Sequence, residues 1–124
     1  MRKTHFLWIF WLFIFSTCKK KVPVQANVVF WQDKQTATKY SKNGLINELV
    51  VFLAGRRIGS ISAGSYYGAE PECGANGVLT CLINFDDINS VKEFPYQLQD
   101  QKGNILEYRN IKVNAWECNH LKLE

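Results

Sequence analysis

Leu49-Val50-Val51-Phe52-Leu53-Ala54-Gly55-Arg56-Arg57-Ile58 is the stretch that decides the fold. Five consecutive apolar residues, β-branched and aromatic among them, are too few for a core helix and suit a strand covered on both faces. Ala54-Gly55-Arg56-Arg57 interrupts the run, and Ile58 to Ala63 resumes it. Leu45 to Ala63 is therefore expected to form a β-hairpin whose glycine serves the turn. Its first strand is expected to be central, with an opposing sheet on one side and loops or a short helix on the other.

The same alternation of short apolar runs and turn residues extends in both directions. Downstream, Tyr96 to Gln99 and Ile105 to Val113 flank Asp100-Gln101-Lys102-Gly103, a second hairpin signal. Val78 to Phe85 and a last strand near Cys118 to Leu123 follow the same period. Upstream, Val28-Val29-Phe30-Trp31 begins the first strand. Asp33 to Gly44 is polar, with Asp33 as N-cap and Asn43-Gly44 as stop, and fits a loop or one or two turns of helix. About seven short strands over about 100 residues predict an all-β fold: an immunoglobulin-like or transthyretin-like β-sandwich, or alternatively a small β-barrel. There is no internal repeat and no low-complexity tract. Gly64 to Gly77 is too long and too glycine-rich for a tight turn.

The N-terminus is organised differently. Arg2 and Lys3 precede ten unbroken apolar residues, Phe6 to Phe15, and then Ser16, Thr17 and Cys18. Ten helical residues span about 15 Å, half the thickness of a bilayer's hydrocarbon, so the segment is expected to be a signal peptide and not a membrane span. Phe15-Ser16-Thr17-Cys18 resembles the lipobox of bacterial lipoproteins, in which an aliphatic residue and two small ones precede a cysteine. The resemblance covers little beyond residues 1–18. It implies that the Cys18 thiol takes a diacylglycerol, that a dedicated peptidase cuts before it, and that the freed amine takes a fatty acyl chain such as palmitate. The expected division is a signal peptide over residues 1–17, a lipidated cysteine and tether over 18–26, and the β-sandwich domain over 27–124. Lys19, Lys20 and Lys21 would then lie at the head-group layer.

The formal net charge of +4 belongs to this N-terminal part. Removing Arg2, Lys3 and the three tether lysines leaves ten basic against eleven acidic residues over 22–124, a net of −1. No nucleic-acid partner is expected, because its electrostatic footprint is missing.

Export to an oxidising compartment favours a disulfide among the three remaining cysteines. Cys81 shares strand parity with Leu79, Ile83 and Phe85, the core-facing set, and is expected to be a buried free thiol. Cys73, in the long loop, and Cys118, at the start of the last strand, form the expected bridge. The alternative, Cys73–Cys81, would brace the loop alone.

Chemistry-bearing constellations are scarce. His120 is the one histidine after the leader and lies in an alternating strand, where it is expected to be exposed. No zinc-ligand spacing, no Gly-x-Ser-x-Gly elbow and no phosphate-cradling glycine loop occurs. Asn84, Asp86, Asp87 and Asn89 could offer oxygens to calcium, but an ordinary turn uses the same residues. No catalytic residue, metal or cofactor is expected. Trp31 and Trp116 are expected in core or edge packing. The candidate interface is the long loop, with Tyr66 and Tyr67 as exposed aromatic area and Glu70 and Glu72 as its acidic residues.

The sequence thus predicts a non-catalytic, membrane-anchored lipoprotein that binds an envelope protein, peptide or glycan. The cell envelope is the expected location, with the periplasmic face of the outer membrane preferred over the inner membrane. The alternative is an inhibitor or immunity-type lipoprotein that blocks an envelope-acting toxin or hydrolase, with a protruding 64–77 loop as its inserting element.

Overall fold

A computed structural model describes residues 24–85 and 91–124. The leader, Cys18 and the tether lysines lie outside the described residues, as do Asp86, Asp87 and Asn89 of the calcium reading. Seven strands form two sheets: β1 (Val24–Trp31), β2 (Glu48–Leu53), β3 (Arg56–Ser62), β4 (Leu79–Phe85), β5 (Val91–Asp100), β6 (Ile105–Asn114) and β7 (Cys118–Lys122). The three-stranded sheet has the order β4-β1-β7 and the four-stranded sheet β3-β2-β5-β6. This is the expected all-β sandwich, with two separate sheets in place of a closed barrel. Its connectivity is not that of immunoglobulin domains, whose first strand lies beside the second. Here β1 pairs antiparallel with β4 and parallel with β7, which joins the two ends of the domain.

The hairpin that decides the fold turns more tightly than its sequence suggests. Arg56 and Arg57 already belong to β3, and Ala54-Gly55 alone makes the turn, with φ of 54° and 76°. Positive φ at both positions fits the twist of the flanking strands, and glycine takes it without cost. A bulge between Val51 and Phe52 precedes the turn. Leu49, Val51 and Leu53 point inward and are buried, while Val50 and Phe52 on the outer face are half-buried. The strand is central, between β3 and β5. It begins at Glu48, later than expected, and Leu45 is left exposed.

β5 runs further than its apolar residues indicate, because Val91 to Pro95 pair with β6 alone, beyond the end of β2. The Pro95 carbonyl accepts the Ala54 N–H at 2.9 Å, so that proline's missing donor faces the turn and not the β6 ladder.

Between the sheets pack Ala26, Val28 and Phe30 of β1, Cys81 and Ile83 of β4, Tyr96 and Leu98 of β5, Val113 of β6 and Leu121 of β7. Cys81 is the buried free thiol its parity predicts. Gly59 of β3 lies where the sheets approach: a Cβ there would fall 2.6 Å from Leu79 Cδ1 of β4. β1 starts at Val24, and Ala26 is buried, so the domain begins before the expected residue 27.

Helix α1 (Lys34–Ser41) fills the polar stretch as two turns and crosses from one sheet to the other. Its buried Tyr40 joins the core, and the Thr36 hydroxyl donates to the Leu123 carbonyl at 3.4 Å. Asp33 is its N-cap, accepting the Thr36 N–H at 2.9 Å, and also pairs with Lys122 Nζ at 2.7 Å. Gly44, at φ +65°, ends the segment. The Lys122 hydrogen bond and the cap together hold the Asp33 carboxyl at about 2. Asp100, bonded by Asn104 and by the Lys102 N–H, is also held below the usual range. Both are depressed relative to the unfolded chain, so their stabilisation is complete above the ordinary aspartate range and lost as pH falls through the folded values. The melting temperature is expected to fall between about pH 4 and pH 2. Asp33→Asn, which keeps the cap but cannot titrate, should flatten part of that fall. Thermal melts across this window check it, and an unchanged slope would remove Asp33 from the account.

Candidate functional site

The long connection between β3 and β4 does not protrude. Its start is held by Gln32, which follows β1 and is 1% exposed. Gln32 Nε2 donates to the Ala63 and Ser65 carbonyls at 2.9 and 2.7 Å, and the Gln32 carbonyl accepts the Tyr67 N–H at 3.0 Å. Buried polar groups need such partners, so Gln32 fixes where the loop leaves the sandwich.

From there the loop crosses the outer face of the three-stranded sheet. Glu70 Oε2 lies 3.9 Å from His120 Nδ1 on β7, and Cys73 is disulfide-bonded to Cys118 on the same strand, as expected. The Gly74 N–H donates to Thr80 Oγ1 on β4 at 3.0 Å. Thr80, Val29 and His120 are register partners in one row across the sheet, with Val29 of β1 in the middle. A loop bonded to both flanking strands must pass over Val29. This accounts for its full burial on a face that strand alternation directs away from the core. Trp31, on the same outer face, is 7% exposed and lies under Lys122 Nζ, 5.8 Å from the ring centroid. Residues 64–77 are therefore a strap laid across the outer face of the three-stranded sheet.

Where the strap begins and ends, a cleft of about 640 Å³ opens. Phe30 contributes to its wall, Ser60 to Ser62 of β3 form one side, Gly77 to Leu79 the other, and Gly64 to Tyr67 close it. The Tyr67 hydroxyl donates to the Gly77 carbonyl at 3.0 Å, tying the two ends of the strap together. Tyr66 is 49% exposed beside it. β3 is an edge strand. Because the Ala63 N–H bonds the Asn47 carbonyl, alternation turns the backbone N–H and C=O of Ser60 and Ser62 away from β2. Gln32 and the Ser65 N–H use the Ser62 carbonyl, whereas Ser60 stands on the open edge. None of the cleft residues is an acid, a histidine, a lysine or an arginine. The site offers aromatic faces, hydroxyls and strand-edge amides.

Of the four candidate interface residues, the structure brings Tyr66 and Tyr67 to this cleft and leaves Glu70 and Glu72 along the strap. Phe30, Ser60, Ser62, Val78 and Leu79 escaped the sequence reading because they come from three separate segments and carry no chemical signature. His120 is exposed as expected and gains Glu70 as neighbour. Trp116 departs from the expected edge packing: it is 64% exposed.

A second polar cluster closes the side between β6 and β7. The Tyr96 hydroxyl donates to Glu107 Oε2 at 3.2 Å, Glu107 pairs with Arg109 Nε at 2.7 Å, and Arg109 donates to the Lys122 carbonyl at 2.6 Å. Tyr40 donates to the Glu124 carbonyl. Burial pushes the Tyr96 phenol far above its ordinary range, and burial with the Glu107 and Glu124 charges raises Tyr40. Both stay protonated, and the cluster ties down the C-terminus. Among the described residues no three His, Cys, Asp or Glu side chains gather as metal ligands, and no helix is long and apolar enough to cross a membrane. No protein-family model matches the chain, and neither a curated protein nor a solved structure matches it significantly.

Proposed function

We propose that this protein is a non-catalytic, lipid-anchored binding module of the bacterial cell envelope. It is attached through Cys18, with the periplasmic face of the outer membrane as its site. The observation that carries the binding reading is the cleft between β3 and β4, where Tyr66, Tyr67, three serines and an open strand edge meet on a pinned frame. Tyrosine supplies contact area at low entropic cost, and edge amides suit the backbone of a peptide or the hydroxyls of a glycan. The lipobox-like Phe15-Ser16-Thr17-Cys18 supports the anchor. An inhibitor that inserts its long loop into a target would need that loop to project, whereas Glu70 reaches His120 and Cys73 is bonded to Cys118.

Full-length protein captured from envelope with its partners tests this. Tyr66→Ala/Tyr67→Ala should lose the retained partner at least about tenfold, since each lost hot-spot tyrosine costs at least about 1–2 kcal/mol. Glu70→Ala/Glu72→Ala should retain it. Equal retention by both variants would remove the cleft as the binding site.

A further inference from the structure

The turn that joins β6 to β7 presents a tryptophan to solvent beside the point where the tether meets the domain. Trp116 is 64% exposed, whereas Trp31, the other tryptophan after Cys18, is 7% exposed. The turn is rigidly held. The Trp116 N–H donates to the Gln25 carbonyl at 2.7 Å and the Asn27 N–H to the Glu117 carbonyl at 3.2 Å, which fastens the turn to the first residues of β1. The Asn119 amide bridges Asn27, Asn114 and Glu117, and Cys118 carries the disulfide. Ala115, next to Trp116, is buried. Trp116 itself has φ +64°, a conformation that a bulky L-residue adopts at a steric cost and glycine or asparagine adopts readily. That cost is not recovered by burial inside the domain.

We infer that Trp116 seats this pole of the domain in the head-group region of the bilayer that holds the Cys18 lipid. The inference rests on the lipid-anchor reading above. Five residues separate Cys18 from Val24, so the six Cα–Cα steps between them span at most about 22 Å even when fully extended. The pole that contains the start of β1 and the 115–117 turn is thus kept within that distance of the membrane surface. Val91, 44% exposed, begins β5 at this pole and pairs with Asn114. Leu82, 50% exposed, pairs with Asn27. A tryptophan with an apolar body and one N–H donor prefers the boundary between lipid and water. Seating it there turns the Phe30 end of β1, and with it the cleft, about 20 Å away from the bilayer.

The test uses the processed, lipid-bearing protein in phosphatidylethanolamine–phosphatidylglycerol vesicles containing acyl chains brominated near the head group. Tryptophan emission of the wild type should be quenched by the bromolipid, and Trp116→Phe should abolish that quenching, because Trp31 is shielded. Trp116→Gly should abolish it too while leaving the melting temperature unchanged or higher. Wild-type emission quenched no more than that of Trp116→Phe overturns the inference. So does a lower melting temperature in Trp116→Gly, which would make Trp116 a packing residue. Mass spectrometry at Cys18 separates the two readings. Lipid present with Trp116 unquenched overturns the docking alone, and lipid absent overturns the anchor and the docking with it.

Discussion

Replacing both bridge cysteines, Cys73→Ser with Cys118→Ser, is expected to lower the melting temperature by roughly 15–30 °C. The bond closes a 45-residue separation, and releasing a loop of that size into the unfolded ensemble corresponds to about 4 kcal/mol of loop-closure entropy. A domain of this size has about 5–15 kcal/mol in total. The structure adds a consequence beyond chain entropy. Without the bond, the Glu70–His120 and Gly74–Thr80 contacts are left to hold the middle of the strap across the sheet, while Gln32 holds its start. The variant should therefore show red-shifted tryptophan emission and faster proteolysis within residues 64–77 before global unfolding. Thermal melts with and without reductant, followed by circular dichroism and fluorescence, check both effects. A fall of only a few degrees would mean that the strap is held by its other contacts.

Phe30→Ala is expected to cost about 3–5 kcal/mol, the range for truncating a buried aromatic. Phe30 is 1% exposed and stacks on Tyr96 of the opposing sheet with ring centroids 6.3 Å apart. It is one of the contacts between the two sheets, and it also contributes to the cleft wall. Leu82→Ala is the matched control, because Leu82 lies on β4 between the inward Cys81 and Ile83 but points out and is half exposed. Its cost should stay within about 0.5 kcal/mol. Urea unfolding measures both. Equal costs would mean that the faces of the three-stranded sheet are assigned wrongly.

The elements most legible in the sequence were those whose cause is local. Asp33 caps the helix because its carboxylate reaches the Thr36 N–H three residues on, and Ala54-Gly55 makes the turn through its own dihedral angles. Cys81 is buried because strand alternation places it with Ile83. The Cys73–Cys118 pairing followed from the same parity, once Cys81 was assigned to the core. Strand ends were less legible. Leu45 is apolar but exposed, and Val91 to Pro95 look unlike a strand because their side chains lie at a margin where only β6 pairs with them.

By itself, then, the sequence determined an all-β domain of about seven strands with two hairpins, and narrowed the 33–44 segment to a loop or short helix and the bridge to Cys73–Cys118 or Cys73–Cys81. The strands and hairpins follow from dihedral preference and period-two alternation within a few residues. The tertiary structure decided the rest. It placed β1 between β4 and β7, turned the long loop from a projection into a strap over Val29, assembled the cleft from three distant segments, and left Trp116 in solvent. Those outcomes depend on which surfaces meet across the sandwich. No neighbouring residue records such a meeting, because the free energy of burial is shared between segments tens of residues apart.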